Sequence, residues 1–163
     1  MSDIVRFHER HGQGVLRLIG GVFAEYGLTF DPLGYDVDLT RIHDEYVSRG
    51  GEFWVLEHEG VVHGTVAVVP VSAVAVEIKR VYVHPALRGQ GVGRRLVEHA
   101  IGWAAGRGHH HITLWSDVKF ATSHRMYERL GFVRTGMRDC DDLDRSCEYG
   151  FEKRLPAFAT TPR

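Results

Sequence analysis

Apolar residues recur along this chain with periods of two and of about 3.6, and the switches between the two mark out its elements. Residues 4–7 alternate as a short strand. Residues 12–26 then carry Val15, Leu18, Ile19, Val22, Phe23 and Tyr26 at helical spacing, a face that belongs in a core. Gly20 and Gly21 in that stretch each lower helix propensity by about 1 kcal/mol, so a kink or a close approach is expected there. Residues 27–39 are turn-rich around Asp31-Pro32 and Gly34, Asp38 is placed to cap a short helix reaching about residue 48, and the segment is a candidate substrate lip. Three valine-rich runs follow at 53–57, 61–70 and 74–83, separated by Glu59-Gly60 and by a turn near Ser72, and they read as an antiparallel meander. A helix is predicted over 91–105, with Val92, Leu96, Val97, Ala100, Ile101 and Ala104 on one stripe and Gly106 and Gly108 at its end. A short strand at 112–115 comes next. Ser116 or Asp117 can cap the following helix, which carries Ala121, Met126, Tyr127 and Leu130 before Gly131. A strand pair at 132–137 and 147–155 closes the domain (1–155), and 156–163 reads as a disordered tail.

Bulk composition narrows the class without changing this picture. A chain of 163 residues suits one domain that buries roughly 70% of its unfolded surface, so no disulfide or metal staple is required. With 44% hydrophobic and 25% charged residues it has the make-up of an ordinary soluble globule, and no apolar run approaches the ~20 residues of a membrane span. The net charge of −1 makes no case for nucleic acid or an anionic membrane as partner. Two cysteines, Cys140 and Cys147, are too few for a disulfide framework and match no common zinc spacing; the expectation is reduced, inert thiols in a cytoplasmic protein. The first residues lack the charged and apolar regions of a secretory signal, which points to the same compartment. His109-His110-His111 invites a metal, but neighbours on a strand point to opposite faces, and no metal site is expected.

Local charge is more telling. Acidic residues gather at 31–45 and 139–144, whereas Arg88, Arg94 and Arg95 flank a glycine-rich turn. That turn, Arg88-Gly89-Gln90-Gly91-Val92-Gly93, follows the strand Val81-Tyr82-Val83 and opens a helix. Such a junction leaves unpaired backbone N–H groups facing outward with the positive end of a helix dipole behind them, which suits an anion. A P-loop would need Lys-Ser or Lys-Thr where Arg94-Arg95 stands, and the dinucleotide fingerprint fails on glycine spacing. An unliganded glycine turn is the remaining alternative.

Strand, Arg88-Gly89-Gln90-Gly91-Val92-Gly93, helix, strand and then Met126-Tyr127-Glu128-Arg129-Leu130-Gly131-Phe132 resembles the GNAT superfamily of acyl-CoA-dependent N-acyltransferases over nearly the whole chain. The resemblance implies a single α+β domain (α/β mixed): a central, mostly antiparallel sheet of six to seven strands flanked by helices, with a V-shaped splay between the fourth and fifth strands. It implies acetyl-CoA as co-substrate without a metal, its pantetheine along Val81, Tyr82 and Val83 and its pyrophosphate on the amides of Arg88, Gly89, Gln90, Gly91, Val92, Gly93 and Arg94. The implied reaction is direct attack of a primary amine on the thioester, with Tyr127 returning a proton to the thiolate. Glu77 matches the position where several members place a general base, and His84 and His124 are alternatives. Phe120 stands where many members carry Asn, so it is left out of the polar contacts and packs along the pantetheine or in the core. A small amine is the favoured acceptor, a protein N-terminus or lysine the runner-up, and a non-catalytic acyl-CoA sensor the reading from another class. Pairing of terminal strands in the family also admits a homodimer.

Overall fold

The computed structural model describes residues 2–156; all but the first residue of the expected tail lies outside them. Seven strands form one sheet in the order β1-β2-β3-β4-β5-β7-β6. They are β1 (Asp3–Arg6), β2 (Glu52–His58), β3 (Val61–Pro70), β4 (Ala75–Val83), β5 (His111–Asp117), β6 (Val133–Asp139) and β7 (Cys147–Arg154). Every neighbouring pair is antiparallel except β4 and β5. The helix joining those two, α2 (Val92–Gly106), is the crossover that parallel strands require. Among the described residues no helix is long and apolar enough to cross a membrane.

Two apolar layers cover the sheet. On one face α2 and α3 (Ala121–Arg129) bury Leu96, Val97, Ala100 and Tyr127 against Val76, Ile78, Ile112 and Leu114. Each fully buried aliphatic side chain of this kind stabilises the fold by about 1.5–3 kcal/mol. On the other face α1 (Gly12–Glu25) packs Val15, Leu18, Ile19 and Val22 on Phe53, Val55 and Ala67. The α1 helix runs unbroken through Gly20-Gly21, and the glycine signal proves to be a close approach: a Cβ at Gly20 would lie 3.2 Å from the Phe30 ring.

Two capping expectations are corrected. Asp38 caps no helix; it lies inside a single 3-10 turn, Val37–Thr40, ahead of a π turn at His43–Val47, and its carboxylate is taken by Arg80 and the Tyr46 hydroxyl. Neither Ser116 nor Asp117 caps α3, whose N-cap is Phe120. Both still belong to β5, and Asp117 accepts the Lys119 N–H at 2.8 Å within the connecting turn.

Candidate active site

The pairing of β4 with β5 covers only Ala75–Ile78 against His111–Leu114. Beyond that point β4 stays on β3 as far as Val83 and β5 stays on β7 as far as Asp117, so the parallel strands part and a V opens between them. A bulge in β4 sits at its vertex: Thr65 faces Tyr82 and Ala67 faces Lys79, leaving Arg80 and Val81 opposite Val66 alone. Arg80 holds φ at +57°, the left-handed region that a non-glycine residue enters only when its surroundings hold it.

The Arg80 guanidinium bonds Asp36 Oδ1 at 3.0 Å through Nη1 and both oxygens of Asp38, at 2.6 Å through Nη2 and 3.1 Å through Nε. Its carbonyl accepts the Thr65 hydroxyl at 2.8 Å. Burial alone would raise Asp38, but Arg80 and the Tyr46 hydroxyl outweigh it and hold the carboxyl below its ordinary value. The turn-rich segment after α1 is therefore tied by charge to the vertex of the V.

The cleft in the V has a volume of about 110 Å³. Val81 and Tyr82 line it from β4, Trp115, Ser116 and Asp117 from β5, and Tyr127 from α3. Tyr127 is 4% exposed. Burial, reinforced by Tyr82, pushes its pKa far above the usual phenol value, and its hydroxyl has no hydrogen-bond partner among the described residues. One turn earlier on α3, His124 meets the Ser116 hydroxyl through Nε2 at 3.1 Å, and burial keeps its imidazole below the usual pKa. His124 thus braces α3 against β5, and His84 sits at the far end of β4 with Nδ1 accepting the Ala86 N–H at 3.1 Å. Tyr82 turns to the opposite face from Val81 and Val83, packing edge-on against Phe23 and Phe120. Phe120 itself lies 4.8 Å from the Tyr26 ring, closing the upper V on the α1 side.

Glu77 stands apart from Tyr127. It lines an adjoining hollow of about 390 Å³ that shares Arg80, Tyr82, Trp115 and Glu148 with the cleft. On the same β5 face Asp117 is 8% exposed, and its pKa is raised chiefly by burial, with Glu148 and Asp142 adding to the effect against Lys119. Two loops form the lip. Thr29 donates from its N–H and its hydroxyl to the two carboxylate oxygens of Asp144, at 2.6 and 2.7 Å, and so joins the 27–36 segment to the β6–β7 loop across the mouth.

At the other end of β4 the glycine-rich turn has the geometry of an anion cradle. Gly89 and Gly91 hold φ at +75° and +77°. The first α2 bond runs from the Arg95 N–H to the Gly91 carbonyl at 3.0 Å, and no amide from Gly89 to Arg94 donates to an acceptor among the described residues. Gly93 has a different duty: a Cβ there would come within 3.2 Å of Met126 Sδ, so it lets α2 and α3 approach. The arginine side chains face elsewhere. Arg94 pairs with Glu98 at 2.9 Å, while Arg88 reaches back to Glu25 at 2.5 Å and to the Val83 carbonyl at 3.2 Å. Among the described residues no cluster of three or more metal-ligating side chains occurs. Both cysteines are free thiols, Cys140 donating to Glu148 Oε1 at 3.1 Å.

Arg80, Glu148 and the Thr29–Asp144 bridge were not singled out in the sequence, and Asp117 reads there only as a helix cap. For Arg80 a signal existed: the apolar positions of β4 shift from even (Val76, Ile78) to odd (Val81, Val83), which is what a bulge does to an alternating strand.

Residues 22–132 match the family model described as acetyltransferase (GNAT) family. The uncharacterized N-acetyltransferase YjgM of Escherichia coli K12 is 32% identical over 140 residues, which cover 78% of this chain and 83% of that protein. An acetyltransferase of the GNAT family from Staphylococcus aureus Mu50 superposes with a TM-score of 0.84 at 17% identity, over 96% of this chain and all of that one (100%). The yncA protein of Salmonella typhimurium, solved with its cofactor acetyl-CoA, gives 0.77 at 21% identity over 99% of this chain and 98% of that one.

Proposed function

Because the chain belongs to the acetyltransferase (GNAT) family, and is by that membership an acyl-CoA-dependent acetyltransferase, we propose that it moves the acetyl group of acetyl-CoA to a small primary amine by direct attack. The observation that carries this reading is the V-shaped cleft, which holds the unpartnered Tyr127 hydroxyl within a sheet whose β4 leads straight into a row of unpaired amides. In this reading the amides from Gly89 to Arg94 take the pyrophosphate and the backbone of Val81, Tyr82 and Val83 guides the pantetheine, bringing the thioester to the vertex.

The amine nitrogen forms its bond to the thioester carbon as the carbon–sulfur bond breaks. One proton leaves the amine and one must reach the thiolate. Tyr127 suits the second task, since burial keeps its phenol protonated and the cleft it lines is where the sulfur would lie. Glu77 takes the amine proton, reaching the vertex from the adjoining hollow through water. The Thr29–Asp144 bridge across the mouth favours a small acceptor over a polypeptide. The free thiols Cys140 and Cys147 fit a reducing, cytoplasmic setting.

Release of free thiol from acetyl-CoA, followed across small amines and amine-bearing peptides, tests the proposal. Small amines are expected to support release. Tyr127→Phe should lower kcat by roughly a hundredfold, the lower end of what general acid–base catalysis contributes, with the acetyl-CoA KM little changed. A kcat within twofold of the parent would remove Tyr127 from the mechanism, and release with peptides alone would overturn the small-amine reading.

A further inference from the structure

The register of β5 on β7 places Asp117 directly opposite Glu148. Opposed residues of an antiparallel ladder share a face with Cβ atoms about 4.5–5.5 Å apart, and like charges there repel. Both side chains line the cleft. The repulsion is only half relieved. Arg138 sits 2.8 Å from Glu148 Oε1, but among the described residues Asp117 forms no ion pair; Lys119 gives it a backbone N–H and sends its own ammonium to the Tyr26 carbonyl at 3.2 Å.

Most other charges of the cleft are already committed, and Lys79, which also lines it, lies near Asp38. Arg80 is consumed by Asp36 and Asp38. Asp142 holds the Ser146 N–H and hydroxyl, Asp144 holds Thr29, and Asp31 turns back onto the Tyr35 N–H. Asp117 and Glu148 each keep one carboxylate oxygen without a partner among the described residues, and Asp117 does so while more than nine-tenths buried. An open carboxylate oxygen on a largely buried side chain, beside a second carboxylate in the same cleft, is a seat for a cation.

We infer that the acceptor is an amine carrying a second, non-reacting positive charge, and that this charge is received between Asp117 and Glu148. The inference rests on the acetyltransferase reading above and deepens it by naming the substrate class. Asp117 lies three positions beyond Leu114, the last β5 residue paired with β4, which at about 3.3 Å per residue is about 10 Å from the vertex. A linear diamine of four or more carbons, with about 6 Å or more between its nitrogens, covers that interval once the roughly 3 Å of an ammonium–carboxylate hydrogen bond is added. The exposed side chains of Leu143 and Tyr35, 69% and 49% exposed at the mouth, offer apolar surface to the carbons between.

The test compares kcat/KM for diaminobutane, butylamine and aminobutyrate in the thiol-release assay with acetyl-CoA. The three share a chain length and differ in the far group: cation, methyl or carboxylate. Diaminobutane should exceed butylamine by roughly ten- to a hundredfold, the range of a charge-assisted hydrogen bond, with aminobutyrate lowest. Asp117→Asn and Glu148→Gln should each cut the diamine-to-monoamine ratio by about tenfold or more, and acetyl-CoA binding by each variant reports that it is folded. Equal use of butylamine and diaminobutane overturns the inference while leaving the acetyltransferase reading intact, as does a ratio that survives both substitutions. Acetyl-CoA binding with no thiol release from any amine overturns both.

Discussion

Replacing Arg80 with Met leaves Asp36 and Asp38 facing each other without the guanidinium that joins them. The side chains of the three residues are 12%, 3% and 19% exposed for Arg80, Asp36 and Asp38, so water screens the exposed charges little. Removing one partner of a buried ion pair costs about 3–5 kcal/mol, because the other charge stays behind uncompensated. At about 2–4 °C per kcal/mol for a chain of this size, the melting temperature should fall by roughly 6–20 °C. Arg80→Lys should recover only part of the loss, since an ammonium cannot span Asp36 and both oxygens of Asp38. Adding Asp38→Asn to Arg80→Met should cost less than the sum of the two single changes by about 1 kcal/mol or more. The effect should also reach the chemistry: with the 27–47 segment untied from the bulge, the amine KM should rise more than the acetyl-CoA KM. Thermal and urea unfolding at neutral pH, paired with steady-state kinetics, provide the readout. A loss of stability under about 1 kcal/mol for Arg80→Met would show that the charges are solvated and the latch idle.

Gly91→Val places a β-branched residue at φ +77° where its Cβ meets nothing within 4 Å, so the folded protein should lose only about 1–2 kcal/mol. If these amides hold the pyrophosphate, the acetyl-CoA KM should rise far more than the amine KM; unchanged acetyl-CoA affinity would count against the cradle. Acid should destabilise the fold in a defined window. Arg80 depresses Asp38 despite burial, and hydrogen bonds from Arg10 and His11 depress Glu57 to about 2. A carboxylate with a depressed folded pKa contributes stability that is fully present above its unfolded value, about 3.9 for Asp and 4.3 for Glu. That stability is lost as pH falls through the folded value. The urea midpoint should therefore drop between about pH 5 and pH 2, and a midpoint that holds or rises across that range would contradict the assignment.

The sheet and its main helices were legible because their signals are periodic and local. The valine-rich runs of β2, β3 and β4 and the apolar stripe of α2 each need only neighbours in sequence to be read. Tyr127 was found through its motif, and it does line the cleft. The misses share one physical cause, which is that the deciding partner lies far away in the chain. Asp38 has the residue type of a helix cap, but Arg80, 42 positions on, offers a stronger bond than a backbone N–H. Asp117 likewise reads as a cap until the register with β7 puts Glu148 across from it. Gly93 reads in the sequence as one more phosphate-loop glycine, and its lack of a Cβ also lets α2 approach Met126 of α3. Glu77 was chosen by its match to the family's general-base position, and alternation along β4 could not tell that it lines a hollow next to the cleft.

The most direct measurement of the central claim is parallel quantitation of free thiol and acetylated amine when the protein is mixed with acetyl-CoA and diaminobutane. The account predicts amine-dependent thiol release, matched one for one by acetylated product and largely abolished by Tyr127→Phe. Tight acetyl-CoA binding without either product, across diaminobutane, butylamine and peptide amines alike, would make the cleft a binding site without chemistry and would contradict it.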